Sequence, residues 1–139
     1  MMGEASDGTV DREACSNTGV AKILVIEDDV DISRLLGMQL KAGGYELAYA
    51  SDAVTAMTVA RKERPDLILL DLGLPGGGGL LVLERLRAIA ELAATPVIVV
   101  TARTDAAGEQ DARAAGAVDF LRKPVEGDDL AAAIERALG

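Results

Sequence analysis

The sequence predicts an α/β fold in which a doubly wound, five-stranded parallel sheet is covered by five helices. Five short apolar segments alternate with helical segments between Lys22 and Leu138, a pattern typical of βα units and a parallel sheet. The apolar segments are continuous rather than alternating, as expected for strands that are each buried on both faces. Right-handed crossovers leave few topologies, and the strand order 2-1-3-4-5 is favoured among them.

The first βα unit has signals at both ends of its helix. The first strand is predicted at Lys22–Glu27 and the first helix at Val30–Ala42, with Asp29 as its N-cap. Gly43 and Gly44 follow the helix and are typical of a C-terminal stop. Four apolar residues recur at helical spacing and are expected to face the core: Ile32, Leu35, Leu36 and Leu40.

The second unit and the third strand occupy the middle of the chain. The second strand is predicted at Glu46–Ala50, and the helix after it is expected to end before Pro65. Its stripe consists of Ala53, Ala56, Met57 and Ala60. Leu67–Leu70 forms the third strand and is closed by Asp71, after which Leu72–Gly79 reads as a turn rich in glycine and proline.

The remaining elements complete the five βα units. The third helix is predicted at Leu80–Ala90, the fourth strand at Pro96–Val100 and the fourth helix at Ala106–Ala115. The fifth strand is predicted at Val118–Leu121 and the fifth helix at Asp129–Leu138. The inward-facing residues of the third helix are Leu83, Leu86 and Ala90, and those of the fifth are Leu130, Ala133, Ile134 and Ala137. The fourth helix has only alanine as its apolar residue, so we expect it to be held most loosely.

Composition and charge exclude several classes of protein. The chain has 23 acidic and 14 basic residues and a net charge of −9, which argues against direct binding to nucleic acid or to an anionic membrane. It has no histidine, which excludes a Ser-His-Asp triad and a His-ligated zinc site. The single cysteine, Cys15, cannot form an intramolecular disulfide, and a reducing, cytoplasmic location is expected.

The first twenty residues differ in character from the remainder. Met1–Val20 is rich in Gly, Ser, Thr, Asp and Glu and has no hydrophobic period, so we expect a disordered acidic tail before a single domain at residues 21–139. The tail lacks the apolar segment of a signal peptide. No apolar run in the chain approaches the roughly 20 residues that cross a membrane.

Polar side chains follow four of the five predicted strands. Glu27 ends the predicted first strand and Asp28 follows it, while Asp71 follows the third strand, Thr101 the fourth and Lys123 the fifth. In the predicted order the first and third strands are neighbours, so their carboxylates should meet where the order reverses. One pKa in such a group should rise unless a cation lies between the acids. Carboxylate oxygens with room for water suit Mg²⁺.

These strand ends give the chain its resemblance to a known family. It resembles the receiver domain of bacterial two-component response regulators, over roughly Lys22–Leu138. Such domains have a flavodoxin-like fold. The matching segments are ILVIEDD at Ile23–Asp29, LILLDLGLPGGGGL at Leu67–Leu80, VIVVTAR at Val97–Arg103 and AGAVDFLRKP at Ala115–Pro124.

The resemblance implies a phosphoacceptor with a magnesium ion. Asp71 would attack a phosphohistidine on a partner histidine kinase or phosphotransfer protein. Asp28 would bind Mg²⁺ directly and Glu27 mainly through water, while Asp71 and the backbone carbonyl of Gly73 would complete the metal site. Because this chain has no histidine, the phosphodonor has to come from another molecule.

The resemblance also implies a switch. The hydroxyl of Thr101 and the ammonium of Lys123 would hold the phosphoryl group, and a cis Lys123–Pro124 bond would aim the lysine into the site. Phe120 would turn inward as Thr101 moves. The surface that changes would consist of the fourth helix, fifth strand and fifth helix, and it would act on a downstream protein or on an effector domain.

The sequence departs from the family pattern beside the acceptor. Gly76–Gly79 replaces the usual Met-Asp-Gly, which removes an N-cap at Gly78, and we expect this connection to be mobile. Gly73 and Ala102 are small and would leave the phosphoryl group accessible, whereas Arg103 could screen it.

Two other functions fit parts of the pattern. A degenerate receiver would act as a binding module without phosphorylation, but it usually lacks the acceptor or the lysine, and this chain has both. A haloacid-dehalogenase-like phosphatase also uses an aspartate at a strand end, but it needs a second aspartate where this chain has Gly73. A nucleotide-binding glycine motif is absent from the loop. We therefore expect a phosphoacceptor that assists its own phosphotransfer and dephosphorylation rather than a turnover enzyme.

Overall fold

Five parallel strands form one central sheet in the order β2-β1-β3-β4-β5, as predicted. The structure is a computed structural model, and it describes residues 20–74, 78–102 and 106–139. Residues 1–19 of the predicted tail at Met1–Val20 and the middle of the glycine-rich connection lie outside the described residues. The strands are β1 Lys22–Ile26, β2 Glu46–Ala50, β3 Leu67–Leu70, β4 Val97–Thr101 and β5 Asp119–Arg122.

Helices alternate with these strands along the chain. They are α1 Val30–Ala42, α2 Ala53–Glu63, α3 Gly78–Ala88, α4 Ala106–Ala114 and α5 Gly127–Leu138. The Asp29 carboxylate accepts hydrogen bonds from the N–H groups of Asp31 and Ile32, which confirms it as the N-cap of α1. Arg64, in the left-handed region with φ 47°, ends α2 before Pro65.

The boundary of α3 differs from the prediction. The helix begins at Gly78 and ends at Ala88, two residues early at both ends. Ala90 therefore lies beyond the helix and is exposed, and the prediction that it faces the core is wrong. Leu92 fills the core after α3 instead, with 2% of its surface exposed.

The apolar stripe of α1 is narrower than predicted. Leu36 and Leu40 are buried, but Leu35 is 55% exposed, so its assignment to the core is wrong. A helix turns about 100° per residue, so Leu35 lies about a third of a turn from the line through Leu36 and Leu40. Gly37 is buried instead, because the Tyr49 side chain of β2 lies against it: a Cβ at Gly37 would be 2.3 Å from Tyr49 Oη.

The core has two layers, one on each face of the sheet. Alternate strand residues Leu24, Ile26, Ile68, Leu70 and Val99 pack with α2, α3 and α4. The intervening strand residues Ile23, Val25, Leu67, Leu69, Ile98 and Val100 pack with α1 and α5. Helices thus cover both faces, as expected for a doubly wound sheet.

The edge strands are less buried than the continuous apolar pattern of the sequence predicts. β1, β3 and β4 are buried on both faces except at Lys22, whereas Glu46 and Tyr49 of β2 and Arg122 of β5 are exposed. The expectation of full burial is wrong for these strands because each has a neighbour on one side only. Within the described ranges, no helix is both long and apolar enough to cross a membrane.

Candidate functional site

Three carboxylates meet at the carboxyl edge of the sheet. Glu27 and Asp28 follow β1, and Asp71 follows the neighbouring strand β3. One carboxylate oxygen from each of the three lies within 4.8 Å of the other two. Glu27 and Asp71 are 4% and 7% exposed, while Asp28 is exposed. The strand order therefore brings together the three acids singled out in the sequence.

The carboxylate of Asp71 is held at both oxygens. The backbone N–H of Asp71 donates to Ile26 O at 3.0 Å, which continues the pairing of β1 and β3 past the end of β3. Oδ1 accepts a hydrogen bond of 3.0 Å from the N–H of Gly73. Oδ2 lies 3.4 Å from Nζ of Lys123. The side chain is thus oriented before any ligand arrives.

Lys123 follows the edge strand β5, and its side chain reaches across to the acids. Its backbone N–H donates to Thr101 O at 2.9 Å, and the Lys123–Pro124 peptide bond is cis. Nζ donates to Glu27 Oε1 at 2.5 Å. Sequence reasoning missed this pair, because the residues are 96 positions apart and β3 and β4 lie between their strands. Only the length of the lysine side chain makes the contact, and no local pattern encodes it.

Burial of Glu27 dominates the electrostatics of the site. It raises the pKa of this carboxyl above its ordinary value, and the nearby Asp71 adds to the rise. The hydrogen bonds from Lys123 and from the Asp29 N–H act in the opposite direction but do not cancel the effect. The pKa of one acid in the group is therefore raised even with an ammonium beside it.

The remaining residues of the predicted site lie on β4, on β5 and in the loops after β3 and β4. Thr101 is the last residue of β4 and is 1% exposed. Phe120 is partly buried on β5, paired with Val99, and packs against the core layer that contains α2, α3 and α4. Gly73 and Ala102 are exposed. Arg103 lies outside the described residues.

The donor set of the site suits a divalent cation. Three carboxylate oxygens within 4.8 Å of one another are hard ligands, and the exposure of Asp28 leaves room for water. Magnesium prefers such a site, with one or two carboxylates and several retained waters. The residues present therefore fit Mg²⁺.

Comparison with protein families gives a match over most of the chain. Residues 23–135 match the family model described as the response regulator receiver domain. The matched range contains every site residue discussed above.

Curated relatives are longer than this chain. It is 36% identical over 117 residues to the DNA-binding response regulator MtrA of Mycolicibacterium paratuberculosis, covering 84% of this chain and 51% of the relative. It is 39% identical over 116 residues to the transcriptional regulatory protein KdpE of Mycobacterium tuberculosis, covering 84% and 50%. The chain thus spans about half the length of the curated relatives it matches.

Solved structures of similar length share the fold. The chemotaxis protein CheY4 of Vibrio cholerae is 29% identical with a TM-score of 0.81, covering 86% of this chain and 99% of that one. A putative response regulator from Chloroflexus aurantiacus is 28% identical with a TM-score of 0.82, covering 86% and 98%.

Proposed function

This chain belongs to the response regulator receiver domain family, and on that premise we propose that it accepts a phosphoryl group on Asp71. One observation carries the proposal: a nearly buried carboxylate at the end of β3 is fixed by the Gly73 N–H and faced by two further acids and an ammonium. A carboxylate that only capped a turn would not need this surrounding set of charges.

In the proposed reaction the Asp71 carboxylate is the nucleophile. One of its oxygens forms a bond to phosphorus while the bond from phosphorus to the donor nitrogen breaks, and the electron pair stays with that nitrogen. The product is an acyl phosphate on Asp71. Since the chain has no histidine, a phosphohistidine donor has to be supplied by a partner histidine kinase or phosphotransfer protein.

We assign the metal site to Glu27, Asp28 and Asp71, with the backbone carbonyl of Gly73 as a further ligand. Magnesium, when bound, neutralises negative charge on the acids and on the phosphoryl oxygens. The chain itself holds the acceptor in one orientation through Gly73 and supplies a second positive charge through Lys123, 3.4 Å from Asp71 Oδ2. Thr101, at the end of the neighbouring strand, would donate a hydrogen bond from its hydroxyl to the phosphoryl group.

The proposed output surface is formed by α4, β5 and α5. Phe120 belongs to β5 of this surface and is partly buried, so we assign it the role of the switch residue. The relatives are DNA-binding and transcriptional regulators of about twice the length. We propose that this domain acts by protein contact, either on a separate target or on a further domain.

A labelling experiment tests the acceptor. The chain would be incubated with acetyl phosphate and Mg²⁺ and its mass measured. We expect one phosphoryl group per wild-type molecule, none on Asp71→Asn, and full labelling of Asp66→Asn, which alters a carboxylate at the opposite end of β3. Stoichiometric labelling of Asp71→Asn would show that the acceptor is another residue. An unlabelled wild-type chain would favour a degenerate receiver.

A further inference from the structure

The first turn of α3 lies directly on the main chain of the acceptor. Gly79 is buried, and its N–H donates to Leu72 O at 3.0 Å. A Cβ atom at Gly79 would lie 2.2 Å from Asp71 O and 2.7 Å from Leu72 Cα. Real Cβ atoms essentially never approach other atoms closer than 3.0 Å. Only glycine therefore permits this approach of α3 to the acceptor.

Both sides of the contact are anchored in the core. Leu69 and Leu70 precede Asp71 and are 1% and 0% exposed. Val82 and Leu83 follow Gly79 in α3 and are both 0% exposed. Because densely packed elements do not slide to make room, a side chain at position 79 would displace the main chain of Asp71 and Leu72, which its Cβ would meet.

We propose that Gly79 is a positioning residue for phosphotransfer, because it lets α3 fix the main chain that carries the acceptor. The Gly79 N–H donates to the Leu72 carbonyl, and the N–H of Gly73, the next residue, donates to Asp71 Oδ1. The acceptor is thereby kept within the 4.8 Å group that it forms with Glu27 and Asp28. This inference rests on the proposed function. Misplacement of a reacting group by about 1 Å can cost about 100-fold in rate.

Gly79→Ala tests the inference, with Gly127→Ala as its control. Gly127 also opens a helix, but the nearest atom to a Cβ there is Gln39 Nε2 at 3.9 Å. Labelling by acetyl phosphate with saturating Mg²⁺ would be followed over a range of donor concentrations, with the folded fraction from urea unfolding. We expect the saturating rate constant per folded molecule to fall at least about tenfold in Gly79→Ala. The half-saturating donor concentration should change less, and Gly127→Ala should match the wild type.

The outcomes separate positioning from stability. If Gly79 only supported the fold, folded Gly79→Ala molecules would be labelled at the wild-type rate, which overturns the inference while the proposed function stands. An unlabelled wild type would overturn both.

A wild-type measurement covers the case in which Gly79→Ala does not fold. Hydrogen exchange at the Gly79 amide would be compared with and without Mg²⁺ and beryllofluoride. We expect its protection to change when the acceptor is loaded, while that of the Gly127 amide does not. Unchanged protection at Gly79 would contradict the inference.

Discussion

Lys123 shares one ammonium group between two carboxylates. It lies 2.5 Å from Glu27 Oε1 and 3.4 Å from Asp71 Oδ2, and its side chain is 13% exposed. Removing one partner from a pair in such surroundings leaves the other charge without compensation, which costs more than the pair itself contributes. If Lys123 moved to a phosphoryl group on Asp71, Glu27 would lose this compensation. The phosphoryl group would therefore have to compete with Glu27 for the ammonium.

Magnesium should stabilise the fold through the same acids. A ligand that binds only the folded chain adds about 1.4 kcal/mol to the free energy of unfolding at ten times its dissociation constant. We expect this gain in urea unfolding of the wild type and its loss in Asp28→Asn. Asp29→Asn should keep the gain, because Asp29 caps α1. Equal stabilisation of Asp28→Asn would contradict the assignment of Asp28 to the metal.

Asp119 should make stability depend on pH. Burial acts to raise the pKa of this carboxyl, but the hydrogen bonds from Arg136 and from the Phe120 N–H outweigh it and hold the pKa below its ordinary value. The folded state thus binds the proton less tightly than the unfolded chain, so the stabilisation is complete above the unfolded pKa of about 4 and is lost as pH falls through the folded pKa.

The test is urea unfolding of Asp119→Asn at pH 7 and below pH 4. Because Arg136 is 64% exposed, we expect a loss of only about 0.5 to 1 kcal/mol at pH 7. The difference from the wild type should narrow as the pH falls. Glu135→Gln changes an exposed carboxylate next to Arg136 in α5 and serves as the control. A difference between Asp119→Asn and the wild type that grows toward low pH would refute the lowered pKa of Asp119.

Residues at strand ends could be predicted, but contacts between side chains could not. Glu27, Asp28 and Asp71 come together because the strand order alone places them at one edge. The Lys123–Glu27 pair depends on side-chain reach across two strands. The close approach at Gly79 is hidden in a run of four glycines, in which the sequence does not distinguish a tight contact from a loose loop.

Helix α1 packs against strand β2 at a glycine, Gly37. The Tyr49 hydroxyl occupies the space where a side chain at Gly37 would lie, with Leu47 Cδ1 at an ordinary 3.6 Å. Glycine inside a helix costs about 0.5 to 1 kcal/mol relative to alanine. The contact with the tyrosine ring is therefore obtained at the expense of helix propensity.

The effect of Gly37→Ala on the free energy of unfolding should change sign with the residue at position 49. In the wild type we expect lower stability, because the tyrosine ring has to move. In a Tyr49→Ala background the same change should stabilise the chain by about 0.5 to 1 kcal/mol through helix propensity. Urea unfolding of the four variants measures this coupling. Equal effects in both backgrounds would show that the ring does not constrain α1.

Element boundaries were predictable where a side chain marks them. Asp29 fixes the start of α1, and Pro65 follows the end of α2. α3 has no such marker: it starts in the glycine run at Gly78, which has φ +77°. The displaced start of α3 follows from that missing signal, and Ala90 is misassigned because no glycine or proline follows the end of the helix at Ala88 before Pro96.

At the scale of the molecule, α4 is the helix with the least apolar anchoring. Among its described side chains, the buried positions are Gly108 and Ala112, so nothing larger than a methyl group enters the core there. α3, in comparison, buries Val82, Leu83 and Leu86. Because stabilisation by burial scales with apolar area, α4 should open at lower free energy than α3.

Hydrogen exchange measured by mass spectrometry tests this difference. We expect faster exchange in Ala106–Ala114 than in Gly78–Ala88, and a change in Ala106–Ala114 on loading with Mg²⁺ and beryllofluoride. Phosphorylation would then shift an existing equilibrium of α4 rather than create a new structure. Exchange in α4 that is as slow as in α3 and unaffected by loading would exclude α4 as the responsive element.

The arrangement of the two core layers also sets an order of events during synthesis. Ile23 and Val25 of the first strand point to the layer completed by Leu130 and Ile134 of the last helix. A chain leaving the ribosome therefore carries part of this apolar surface open to water until α5 has emerged. The opposite layer can close earlier, because α2, α3 and α4 all precede α5. Chaperones and proteases would then meet a nascent chain in which helices cover one face of the sheet and the other face is still partly uncovered.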